Sequence, residues 1–193
     1  MPLADLSHAI DAGMPVFPGD PPVTVDPHAT MADDGYRVSR LDLGSHTGTH
    51  VDAPSHTEAD GDAIDDLPVS RFVRDAVLVD LRDRGPRERI RPADLPTADA
   101  GAVVLRTGWE TRWGDETFLD HPFLTPAAAS HCVERGYDVA IDALNVDPTP
   151  TEDAPDDEPA GVPAHHELLG SDCLIVENLR NLDAVPDRFE LSM

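Results

Sequence analysis

The sequence predicts a mixed α/β domain. Short apolar runs of strand length outnumber helical patterns, the few helix signals are sharply capped, and no domain-sized change of composition divides the 193 residues. A chain of this length is expected to form one domain, residues 1–193, large enough to bury a real core.

Taken in order, Arg40-Leu41-Asp42-Leu43 alternates as a half-exposed strand does and runs straight into a histidine-rich segment. Asp66 before Leu67-Pro68 reads as a helix cap, opening a short helix to about Val73. Ala76–Leu81, Ala102–Arg106, Asp138–Asp142 and Cys173–Val176 carry consecutive apolar residues, the pattern of strands covered on both faces. Thr125-Pro126 is a cap with proline at the first helical position; small and apolar residues then recur four apart until Gly136 closes the helix. A last short helix is expected from His165 to Leu169, ended by Gly170. Two proline-rich connections remain. Met14–Pro22 holds four prolines, and Asp147–Pro163 holds five prolines and six acids with no basic residue. So polar a stretch is expected to be a surface excursion.

The charge balance is extreme: 38 acids against 14 basic residues, all arginine, for a net of -24. The acids are spread along the whole chain, which fits adaptation to high salt better than a dedicated cationic partner. Nothing offers a basic face, so nucleic acid is not an expected partner. No charged leader and no run approaching the ~20 apolar residues of a membrane span is visible, so a cytoplasmic protein without a membrane partner is expected. Cys132 and Cys173 form no CxxC pair and read as buried core residues in a reducing compartment.

The segment His46-Thr47-Gly48-Thr49-His50-Val51-Asp52-Ala53-Pro54-Ser55-His56 places three imidazoles and a carboxylate around a tight turn. In a strand, residues two apart point the same way, so His50 and Asp52 can converge on one ion, and Thr47-Gly48-Thr49 can turn His46 back to it. A carboxylate has two oxygens, so Asp52 could bridge two ions, a common hydrolytic arrangement. A lone His-x-x-x-His pair is a weak signal. Asp52 and His56 at these spacings make coincidence much harder to sustain.

This segment resembles the HxGTHxDxPxH signature of the cyclase-like metal-dependent hydrolases, whose best-known branch is the bacterial kynurenine formamidases. Asp5-Leu6-Ser7 with Pro15-Val16-Phe17-Pro18-Gly19-Asp20 resembles the family's N-terminal strand and WPGD loop. Arg106-Thr107-Gly108-Trp109 resembles its RTGW segment, and Ala164-His165 through Leu168-Leu169 to Ile175–Leu179 resembles its C-terminal motif. The resemblance implies a swivelling β/β/α, barrel-like mixed sheet with few helices. It also implies two divalent ions, zinc first and manganese second. His46, His50 and Asp52 would hold one ion. Asp52 would reach the other, completed by His165 and Glu177, with His165 preferred over its neighbour His166. His56 would be the acid/base group, and Phe17, standing where the family has Trp, a wall of the substrate pocket.

The activity implied is hydrolysis of N-formylkynurenine to kynurenine and formate. Within the same family, an isatin-type lactam hydrolase or a cyclase/dehydratase is the alternative. Outside it the competitor is a metal-binding protein without catalysis, which four histidines and two acids exceed. The expected partners are a small-molecule amide or lactam and further copies of the chain, as a homodimer or homotetramer. Arg106 and Trp109 could line the site or pack beneath it. His8, His28, His121 and His131 read as surface or capping histidines.

At molar salt the Debye length is about 3 Å, and the self-repulsion of this surface is screened. The midpoint of thermal unfolding is therefore expected to rise steadily from dilute buffer to molar KCl. A midpoint indifferent to salt would contradict the reading of the acidic surface.

Overall fold

The computed structural model describes residues 3–151 and 154–193. Within the acidic connection, Glu152 and Asp153 lie outside the described residues. The strands are β1 Thr24–Ala29, β2 Val38–Asp42, β3 His50–Asp52, β4 Val73–Asp80, β5 Arg89–Ile90, β6 Ala102–Arg106, β7 Phe123–Leu124, β8 Asp138–Ile141, β9 Ile175–Glu177 and β10 Arg188–Ser192. The α-helices among the described residues are α1, Pro126–Arg135, and α2, Pro163–Leu169.

The consecutive apolar runs form strands as expected and join one sheet; β6, β8 and β9 are covered on both faces, whereas β4 is only half-buried. A six-stranded sheet has the order β10-β4-β6-β8-β9-β3. Its four inner strands are parallel, and the edge strands β10 and β3 run antiparallel. Side chains alternate between two cores. Val103, Leu105, Val139, Ile141 and Ile175 face α1 and α2, whereas Ala102, Val104, Ala140 and Val176 join Leu179, Leu182 and Leu191 on the other face. Residues of both edge strands line one cavity of about 670 Å³ on the face away from the helices. The β1–β2 ribbon stands apart, and every residue of β2 is exposed.

Asp138 pins the sheet. Its buried carboxylate accepts both terminal nitrogens of Arg71 at 3.1 Å, Nε of Arg74 at 2.6 Å and the Leu174 amide at 2.8 Å. These bonds tie the start of β4 to β8 and to the approach to β9.

Several expectations need correction. Asp66 caps no helix; it accepts the Ala63 amide. The turn that follows is a four-residue 3-10 turn, Val69–Phe72, entered after Pro68. β4 begins at Val73, which leaves too few residues for an α-helix. The Asp147–Pro163 connection is not all surface, because Asp147 and Thr149 are fully buried. His121 is buried too, between the Pro122 carbonyl and the Thr149 hydroxyl, and burial lowers its pKa to about 4.

α1 is bounded as its residues require. Thr125 Oγ1 accepts the Ala128 amide, and Gly136 closes the helix at φ +68°. Thr125→Ala should cost about 1 kcal/mol, lowering the midpoint of thermal unfolding by ~2–4 °C in a chain of this size. An unchanged midpoint would show that the cap does not hold α1.

Candidate metal centre

The antiparallel edge strand β3 makes the centre possible. His50 pairs with Glu177 in register, so their side chains leave the same face, and Asp52 shares it two residues on. The turn at Gly48 returns His46 toward them. Gly48 has φ +64°, a left-handed conformation that calls for glycine. The 3-10 turn Pro54–His56 presents His56, and the first turn of α2 brings in His165.

Asp52, 1% exposed, sits at the middle. Its Oδ1 lies 2.7 Å from His46 Nδ1 and 3.3 Å from His50 Nε2. Its Oδ2 lies 3.5 Å from His165 Nε2. Glu177 Oε2 is 3.8 Å from His50 Nε2, and its Oε1 is 3.4 Å from His165 Nε2. Two sets of donor atoms, each mutually within 4.8 Å, share Asp52: His46-Asp52-His56 and His50-Asp52-Glu177. His56 is exposed, with its ring 3.9 Å from that of His46 and 5.7 Å from that of His165. All six residues singled out for metal binding and acid/base work thus come together. His166 points away, its Nδ1 2.8 Å from Glu58 Oε1 at the surface, so His165 is the member of the pair that faces the centre.

The hydrogen bonds decide which nitrogens are free. His50 Nδ1 lies 2.8 Å from the Gly48 carbonyl, which only accepts, so Nδ1 carries the proton. Nε2 is then a bare lone pair turned toward Asp52 and Glu177. His50 Nε2 and Asp52 Oδ2 are both buried without a hydrogen-bond partner. A lone pair facing carboxylates is repulsive unless a cation stands between them. Nitrogen and oxygen donors around a shared carboxylate would suit a divalent metal ion. Without a metal, a proton is the only substitute. Burial works against that proton on His50, yet Asp52 and Glu177 outweigh it and raise the pKa to about 9. His165 is likewise raised against its burial, by Asp147, Asp52 and Glu177. Glu177 is raised by burial and by the Asp52 charge. Asp52 is lowered, because His165, His46 and His50 overcome its burial.

Phe17 is half-buried against the helix-side core. Trp109 is buried in the helix-side core, its Nε1 donating to the Phe118 carbonyl, and Arg106 pairs with Asp183. The Thr107 and Gly108 amides each donate at 2.7 Å to the buried Asp142 carboxylate, so this segment is structural; burial raises Asp142 to about 6 against those bonds. His8 is not a simple surface residue. Its ring stacks on Trp113 at 3.7 Å, and its buried Nε2 has no hydrogen-bond partner.

Sequence reasoning missed Asp147, whose carboxylate accepts from His165 Nδ1 at 2.9 Å. Its signal was an acid opening an acidic stretch, which looked like solvent-facing charge.

The sequence profile of the Cyclase family matches residues 4–148. The chain belongs to this family. It is similar to a kynurenine formamidase of Salinibacter ruber (strain DSM 13855 / M31), 34% identical over 99% of this chain and 88% of that protein. Its fold matches isatin hydrolase A from Ralstonia solanacearum with a TM-score of 0.83, at 23% identity over 98% of this chain and 84% of the other. A solved structure described as a potential metal-dependent hydrolase with cyclase activity matches with a TM-score of 0.73, at 26% identity over 96% and 85%.

A histidine with a raised pKa stabilises the fold fully below its unfolded value of about 6.5, and that contribution is lost as pH rises through its folded value. Metal-free protein should therefore lose thermal stability between about pH 6.5 and the His50 value of about 9. Zinc-saturated protein should keep it, since the ion replaces the proton and binds better as protons leave. Parallel stability profiles with and without zinc would contradict a shared proton and metal site.

Proposed function

We propose that the chain hydrolyses the C–N bond of a small aromatic amide, with N-formylkynurenine as the first substrate, releasing kynurenine and formate. The observation that carries this reading is the buried carboxylate of Asp52, on which His46, His50 and His165 converge with Glu177 close by, and the exposed His56 ring beside them. Family membership and the likeness to a kynurenine formamidase support it.

His46, His50 and Asp52 would hold one divalent ion, and Asp52, His165 and Glu177 the other, with zinc the first choice and manganese the second. Such ions lower the pKa of water toward about 7 and polarise a carbonyl. The remaining steps fall to the chain's own groups. His56 takes a proton from the attacking water and delivers it to the departing amine, which would otherwise leave as a poor anionic leaving group. Partial burial and the neighbouring imidazoles hold its pKa below the ordinary value against the pull of Asp52, so His56 is a neutral base near pH 7. Gly61 keeps this turn in place, since a Cβ there would fall 2.5 Å from the Pro54 carbonyl carbon. Phe17 supplies an apolar wall of the substrate pocket.

A homodimer or homotetramer, working in a salt-rich cytoplasm, completes the reading. The exposed Tyr36, Val38 and Leu41 on and beside the β1–β2 ribbon are the apolar surface that a second copy would cover.

The test is kynurenine release by protein purified in high salt and loaded with zinc or manganese. His56→Ala should keep its metal and lose ~10²–10⁴-fold in kcat. Turnover of a lactam but not of N-formylkynurenine would move the substrate within the family. A metal-replete protein inactive on every amide and lactam would overturn the hydrolase reading.

A further inference from the structure

Three consecutive residues after β8 brace the half of the centre that His165 and Glu177 form. The Val146 amide donates to Glu177 Oε1 at 3.2 Å. Asp147 Oδ2 accepts both the His165 amide and His165 Nδ1 at 2.9 Å, and its Oδ1 accepts the Ala164 amide at 2.9 Å. Asn145 Oδ1 in turn accepts the Asp147 amide at 2.7 Å.

We propose that Asp147 is the positioning residue of the second ion's site, fixing His165 as the tautomer with hydrogen on Nδ1 and so aiming its bare Nε2 at the ion. This rests on the metal-centre reading above. The residue at the N-cap position of α2 is Val162, which offers no side-chain acceptor, so Asp147 caps the helix from outside it. Capping needs only the two backbone bonds. Only a carboxylate accepts from all three donors, because an amide either turns its NH₂ toward both His165 donors or keeps its oxygen there, losing the Ala164 bond and the carboxylate behind the imidazole. With the Nδ1 hydrogen held, Nε2 is left facing Asp52 Oδ2 at 3.5 Å and Glu177 Oε1 at 3.4 Å. The carboxylate is fully buried, so it stays where these three donors put it.

The experiment compares zinc binding, by titration against a chelator, in wild type, Asp147→Asn and Leu168→Val. Leu168 lies on α2 in the helix-side core, so its variant loosens the helix without touching the carboxylate. Asp147→Asn should weaken the second ion ~10–100-fold and leave the first nearly unchanged. Leu168→Val should lower the unfolding midpoint and leave both affinities in place. Wild-type affinity for two ions in Asp147→Asn, or an equal loss in Leu168→Val, overturns the proposal alone. Wild type that binds fewer than two ions overturns the metal-centre reading with it. Should Asp147→Asn not fold, ¹⁵N-histidine spectra of zinc-loaded wild type decide. Zinc on His165 Nε2 with a protected Nδ1 hydrogen supports the proposal, and zinc on Nδ1 overturns it.

Discussion

Asp52 is a carboxylate with almost no solvent around it, ringed by His46, His50 and His165 and faced by Glu177. Two buried carboxylates whose neighbouring imidazoles present lone pairs cannot coexist without positive charge. Protons or metal ions must supply it. That requirement explains why His50 and His165 hold protons strongly in the metal-free protein, and why the same geometry suits divalent cations. Much of the surrounding architecture serves to keep those imidazole nitrogens bare.

The sheet meets that demand through its edge. A parallel sheet places its strand ends and their loops along one rim, where ligands commonly gather. Here the antiparallel β3 adds itself to β9 so that His50 and Glu177 become register partners across the last ladder. α2, returning after the long acidic connection, brings His165 to the same rim. Residues distant in sequence thus meet because one short edge strand runs backwards.

The legible parts of the sequence were those with local causes. Thr125 and Gly136 bound α1 because capping acts within one turn. β6 and β8 were visible as unbroken apolar runs because both faces are buried. The spacing of His46, His50, Asp52 and His56 was visible because turn and strand geometry place them. The failures were long-range. Asp147 and Thr149 looked solvated because the chain alone does not show that α2 turns its donors toward Asp147, or that His121 Nε2 accepts from the Thr149 hydroxyl. Asp66 looked like a cap because nothing nearby showed β4 beginning at Val73. The likeness of His165 and His166 in sequence was resolved only by α2, which buries one and pairs the other with Glu58 at the surface.

Whether Asp52 sits between two metal ions is decided by anomalous diffraction at the zinc edge from crystals of zinc-loaded protein. Two peaks are expected, one on each side of Asp52, with His46 and His50 at one and His165 and Glu177 at the other. A single peak closed by four protein ligands, or no peak within reach of Asp52, would contradict this arrangement.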